Sequence, residues 1–238
     1  MELQLQNVTK KYGKNIALEE FCYIFNAGIY GLLGPNGAGK STLINLITGN
    51  LQVDKGDILF NGTSIKSMGT QYLQHIGYVP QQQNLYPTFT GERFMYYMAA
   101  IKGLDQKKAD KEIKNIMEKV HLTEEKNHKI KEYSGGMKQR LLIGQALLGK
   151  PTILIMDEPT AGLDPNERVA VRNILAEYAD EKIVLFATHV ISDIEMTADK
   201  VLMLNKGKLV ETEALKQWEK EKNSLEKIYI NVFKEAKL

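Results

Sequence analysis

The sequence has little cysteine, no long apolar run and no excess of one charge. Cys22 is its one cysteine, so no internal disulfide can form, which fits a reducing cytoplasm. It lies in the apolar stretch FCYIF and is expected to be a small core residue. No run approaches the roughly eighteen apolar residues that a membrane span needs. The first residues, MELQLQNVTKKYGK, carry no apolar h-region, so no signal peptide is expected. A soluble chain follows, and any membrane role must come through a partner. Lysine and arginine number 31 against 29 acidic residues, a formal net charge of +2, too balanced to argue for nucleic acid. There is neither a long-period repeat nor a low-complexity segment.

What is present is ordinary globular composition: 238 residues, 43% hydrophobic and 25% charged, enough to bury a substantial core in one large domain or one domain with an inserted lobe. Leu3, Leu5 and Val8 alternate with polar neighbours as in a half-buried strand. GDILFNGTSI carries an Asn61-Gly62 hairpin turn, and GIYGLLG is a short apolar strand. From Thr88 to about Leu148 the apolar spacing becomes three and four, in ERFMYYMAAIKGL, KKADKEIKNIMEKVHL and SGGMKQRLLIGQALLG. A helical lobe inserted in an α/β domain is expected there. Its aromatic content is core packing on the simpler reading and a partner-docking surface on the sharper one. After Pro151, TILIMDEP and KIVLFATH are apolar runs of the kind that parallel strands buried on both faces show, with the helical NERVAVRNILAEYA between them. KVLMLNKGKLVE turns at Lys206-Gly207, and a charged helical tail follows from Thr212.

Residues 34–42, GPNGAGKST, match the spacing G-x-x-x-x-G-K-[ST], after an apolar run and before a helical one. Glycines let backbone N–H groups converge on a phosphate, and the following helix turns its positive end to the same charge. Lys40 is expected to reach the β- and γ-phosphates, Ser41 to ligate Mg2+, and Thr42 to sit beside the phosphates. ILIMDEP ends in paired carboxylates, with Asp157 on the Mg2+ side and Glu158 placed to orient or deprotonate the attacking water. His189 closes the strand IVLFATH at the carboxyl end of the sheet, where a γ-phosphate contact is expected. His75, His121 and His128 are assigned no role.

In order the chain carries GPNGAGKST, YVPQQ, YSGGMKQR, ILIMDEPTAGLD and FATH. The set resembles the nucleotide-binding subunit of ABC transporters, from about Leu3 to about Glu211. The resemblance implies an α/β P-loop fold with a RecA-like core, an N-terminal antiparallel β subdomain and an inserted helical subdomain. It would be one ABC ATPase domain over 1–238: core and antiparallel portion over 1–87 and 149–211, helical subdomain over 88–148, C-terminal helical tail over 212–238. It implies ATP held by Tyr12 on the adenine and by Asn36, Gly37, Ala38, Gly39, Lys40, Ser41 and Thr42 on the phosphates. Glu158, His189 and Gln81 would be catalytic, and Ser41, Gln81 and Asp157 would hold Mg2+, with Gln82 the alternative to Gln81. Two subunits would pack head to tail, Ser134, Gly135 and Gly136 covering the partner's ATP and Asp164 communicating across the dimer. Integral membrane permease subunits would complete an exporter, with the chain cytoplasmic and peripheral on the inner face of the membrane. The alternative is a non-transport ABC ATPase acting in cytoplasmic assembly or translation. Two residues depart from the common signature Leu-Ser-Gly-Gly-Gln, Tyr133 and Met137, and Gly91 is expected to loosen the start of its helix.

Overall fold

The computed structural model describes residues 1–82, 85–210, 218 and 224–235. The expected charged tail therefore lies mostly outside the described residues, save Trp218 and a helix over Leu225–Glu235 (α9).

Two sheets form the body. The first joins β1 (Leu3–Tyr12), β2 (Asn15–Phe25), β4 (Lys55–Phe60) and β5 (Thr63–Ser64) in the antiparallel order β2-β1-β4-β5. The β4–β5 hairpin turns on Asn61 and Gly62, both with positive φ, the pairing a type I′ turn requires. The second sheet runs β10 (Lys208–Val210), β9 (Lys200–Asn205), β3 (Gly28–Leu33), β8 (Ile183–Ala187), β7 (Ile153–Asp157), β6 (Ile76–Val79). Its pairings are parallel except at the β9–β10 hairpin.

Period-two packing sorts the second sheet's side chains between two cores. Ile153, Ile155, Ile183 and Leu185 join a cluster with β1, β2 and α1 (Lys40–Ile47). Leu154, Met156, Val184 and Phe186 join the other, with the helical side. Each fully buried aliphatic side chain stabilises by about 1.5–3 kcal/mol, so β7 and β8 are pinned on both faces, as their unbroken apolar runs require.

The inserted lobe contains α4 (Gly91–Ile101), α5 (Gln106–Lys119), a 3-10 turn (Ile130–Glu132) and α6 (Gly135–Leu147). Thr90 caps α4 by accepting from Arg93 N, so the helix start is firm and Gly91 does not loosen it. Asp105 caps α5 in the same way. Lys102 donates to Ala146 O and Leu148 O at 3.3 and 2.7 Å, closing the C-terminal end of α6. After β7 come α7 (Pro165–Tyr178) and α8 (Ile191–Thr197). Two short helices, α2 (Ile65–Met68) and α3 (Thr70–Leu73), link β5 to β6. No helix among the described residues is long and apolar enough to cross a membrane.

Cys22 is exposed, not a core residue. In β2 the side chains of Phe21 and Phe25 face the core, so Cys22 points outward, where its thiol lies 3.0 Å from Asn7 Oδ1.

Candidate active site

Strand order places the predicted residues. β3, β8, β7 and β6 are consecutive neighbours, paired Leu32 with Ala187, Ala187 with Asp157, and Val79 with Met156. Their carboxyl ends therefore deliver, side by side, the glycine-rich loop after β3, His189 after β8, the carboxylates of β7 and Gln81 after β6.

The glycine-rich loop ends at Gly39, whose φ of 108° suits no other residue and which caps α1 without a side chain. The amide of Gly207 donates to Ala38 O at 2.9 Å, tying the loop to the β9–β10 turn. Asn36 and Gly37 are exposed, while the Ala38 side chain is buried and its N–H is taken by Pro35 O. Lys40 folds back onto the loop, donating to Gly34 O at 2.6 Å and Pro35 O at 3.2 Å. Ser41 and Thr42 lie in the first turn of α1.

Lys40, Asp157 and Glu158 share a field. Burial lowers the Lys40 ammonium from its ordinary pKa, and Glu158 and Asp157 pull it back up. Burial raises the Asp157 carboxyl, Glu158 raises it further, and Lys40 opposes both. Glu158 stands at a φ of +52°, with its N–H donating to Ala187 O. Its Oε2 accepts the His189 side chain at Nδ1, 2.8 Å away, and lies 3.4 Å from the His189 amide. The Glu158 side chain is 11% exposed and that of His189 73%, so a partly desolvated carboxylate is held by an open imidazole. Among the described residues no group of three or more His, Cys, Asp or Glu could hold a metal. Ser41 and Asp157 offer hard oxygen donors of the kind Mg2+ takes when substrate phosphates supply the remainder.

Tyr12 ends β1 and is 49% exposed. It pairs with Asn15, two residues before Ala17, whose carbonyl abuts Gly39. Gln81 is exposed beyond β6, and no hydrogen bond or ion pair among the described residues joins it to Lys40, Asp157 or Glu158.

The signature segment stands apart from this cluster. Ser134 caps α6, its Oγ accepting from Met137 N at 3.1 Å. Tyr133 is 4% exposed and donates to Glu125 O at 2.7 Å. A Cβ at Gly91 would overlap that hydroxyl, so Tyr133 and Gly91 form one packing solution. Met137 packs on the core of the lobe. Asp164 caps α7, accepting from Glu167 N at 2.9 Å. Two carboxylates went unread in the sequence. Glu167 accepts from Ser134 Oγ at 3.3 Å. Asp193, 2% exposed, accepts from Thr160 Oγ1 at 2.6 Å and Arg172 Nη1 at 3.2 Å. The DPNE pattern at 164–167 marks Glu167 as a capping residue but not its second contact.

The ABC transporter family model matches residues 22–161, from β2 through the paired carboxylates. The chain belongs to the ABC transporter family. The linearmycin resistance ATP-binding protein LnrL of Bacillus subtilis is 37% identical over 210 residues, 87% of this chain and 68% of the relative. The Nod factor export ATP-binding protein I of Burkholderia lata is 33% identical over 213 residues, 87% of this chain and 69% of the relative. A dimeric structure of the ATP-binding cassette MJ0796, in a post-hydrolysis state bound to ADP and Pi, superposes with a TM-score of 0.78. It is 26% identical and covers 88% of this chain and 97% of that one. This ABC cassette has the α/β P-loop fold of its relatives, and it is the ATP-binding, ATP-hydrolysing subunit of an ABC transporter.

Proposed function

We propose that two copies of this chain close head to tail around two ATP molecules, and that closure and hydrolysis drive membrane-embedded partner subunits, with export the direction. The observation that carries this is the row of Lys40, Asp157, Glu158 and His189 at the carboxyl ends of β3, β7 and β8, in electrostatic and hydrogen-bond contact. The whole chain, 1–238, works as one ATPase domain with its lobe over 88–148.

Each residue then has a task. Tyr12 stacks on the adenine, and Asn36 to Thr42 surround the phosphates. Lys40 exchanges the carbonyls of Gly34 and Pro35 for phosphate oxygens. Ser41, Asp157 and Gln81 hold Mg2+, which when bound neutralises phosphate charge. Glu158 turns from His189 to the attacking water and takes its proton. His189, so released, faces the γ-phosphate. Ser134, Gly135 and Gly136 cover the phosphate held by the other copy, which explains why a chain with one cradle carries a second anion-favouring segment. Asp164 sits at the junction of the copies. Tyr86, Phe89 and Tyr97 form an aromatic cluster with Arg93 over Phe89 at the entry to the lobe, and Tyr86 and Tyr97 are 45% and 40% exposed. That surface suits a membrane subunit, which would hold the chain on the inner face of the membrane. The relatives in linearmycin resistance and Nod factor export support the outward direction.

Glu158→Gln tests the reading. The amide keeps the shape of the acid but cannot accept the proton, so hydrolysis should fall roughly 10²–10⁴-fold. ATP binding should survive, and the variant should elute as a dimer with ATP and Mg2+, and as a monomer with ADP or no nucleotide. A monomer in all three conditions, with ATP binding confirmed, counts against the reading.

A further inference from the structure

The two glycines of the signature differ in what surrounds them. A Cβ on Gly135 would meet nothing within 4 Å, whereas one on Gly136 would overlap the carboxylate of Glu167. The Glu167 carboxylate therefore lies directly against Gly136 at the start of α6, and a side chain there would push the end of that flexible glutamate aside. That carboxylate also receives the Ser134 hydroxyl at 3.3 Å, while Ser134 Oγ accepts from Met137 N. Glu167 sits at the third residue of α7, where a glutamate often turns back to its own helix cap. Here it reaches instead to the start of α6, a helix of thirteen residues whose first N–H groups favour an anion.

We propose that Glu167 is a gate on the signature: in the separate chain its carboxylate occupies the hydroxyl and helix start that the phosphate of ATP held by a second copy would take. This rests on the head-to-tail reading above and adds its regulation. Two anions cannot share one hydroxyl and one helix end without mutual repulsion. Closure therefore requires Glu167 to swing away, or to stay at a cost in affinity. Since Glu167 follows Asp164 by three residues on the same helix, its departure links the state of the signature to the segment at the junction between copies. The gate thus opposes ATP-driven closure until the phosphate held on the opposite side displaces Glu167 from the signature.

Removing the charge of a gate tightens the dimer, whereas removing a positioning group would weaken it. Glu167→Gln keeps an oxygen that can accept from Ser134 but removes the charge. It is made in the Glu158→Gln background, so that ATP is not consumed, and dimerisation is followed by sedimentation over a range of protein concentrations with ATP and Mg2+. Half-dimerisation should need roughly three- to tenfold less protein than in the Glu158→Gln parent, as expected when about 0.5 kcal/mol of repulsion is relieved at each of the two composite sites. The melting temperature without nucleotide should change by no more than about 2 °C. An unchanged or weakened dimer overturns the gate, and so does a variant that no longer folds, since Glu167 would then be structural. A parent that stays monomeric with bound ATP overturns the head-to-tail reading itself, whereas a parent that dimerises normally isolates the failure to Glu167.

Discussion

Gly91→Ala sets two effects of known size against each other. Gly91 opens α4, and alanine in a helix is favoured over glycine by about 1 kcal/mol, less in the first turn. The added methyl, however, would overlap the Tyr133 hydroxyl. That hydroxyl is anchored on Glu125 O at 2.7 Å and its side chain is 4% exposed, so it cannot simply tilt into water. Overpacking costs about 1–3 kcal/mol, and a buried hydroxyl forced from its acceptor about 1–3 kcal/mol more. The overlap wins, and a net loss of about 2 kcal/mol is expected, or a melting temperature lower by roughly 4–8 °C for a domain of this size. Tyr133→Phe alone should cost about 1 kcal/mol for the hydrogen bond. In the double variant the methyl occupies the space the hydroxyl leaves, so the pair should cost at least about 1 kcal/mol less than the sum of the singles. Urea denaturation of the four proteins, followed by circular dichroism, measures this directly. Strict additivity, or a Gly91→Ala variant more stable than the parent, would refute the packing argument.

Lys102 gives a pH signature. Burial lowers its pKa from 10.5 to about 8, against the pull of Glu112. Between those values the unfolded chain binds more protons than the folded one, so this group makes stability rise with pH across that window. Denaturation midpoints of the parent should gain on those of Lys102→Met as pH climbs from about 7.5 to 10, and parallel curves would be the contrary result. Asp193→Ala leaves Arg172 and Thr160 without their buried acceptor and should cost about 3 kcal/mol. Lys40→Ala removes contacts to phosphate and little packing, so it should abolish ATP turnover with a melting temperature close to the parent's.

The site was legible where its pattern is local in sequence. The glycine spacing at 34–42, the apolar strand ending in Asp157 and Glu158, and the signature YSGGMKQR each need fewer than ten consecutive residues to recognise. Strand order then brings the glycine-rich loop and the two carboxylates together, which follows from parallel strands buried on both faces, and leaves the signature segment apart. What was not legible depends on distant pairs. Glu167 meets Ser134 across 33 residues, Thr160 meets Asp193 across 33, and Tyr133 meets Gly91 only through the packing of the lobe. β6 escaped notice because it is four residues long and interrupted by Gly77. Cys22 was misplaced because an apolar stretch hides the alternation that sends Phe21 and Phe25 inward and Cys22 outward.

The central claim is that each ATP is shared between the cradle of one copy and the signature of another. Mixing two inactive variants tests it. Lys40→Ala spoils the cradle, and Ser134→Arg fills the space where the opposing phosphate would dock. In a mixed dimer one composite site carries both lesions and the other carries neither, so ATPase activity should return on mixing, up to about a quarter of the parent's if one intact site suffices and assortment is random. No return of activity, in a mixture where mixed dimers are demonstrated by differential tagging, would contradict the shared site.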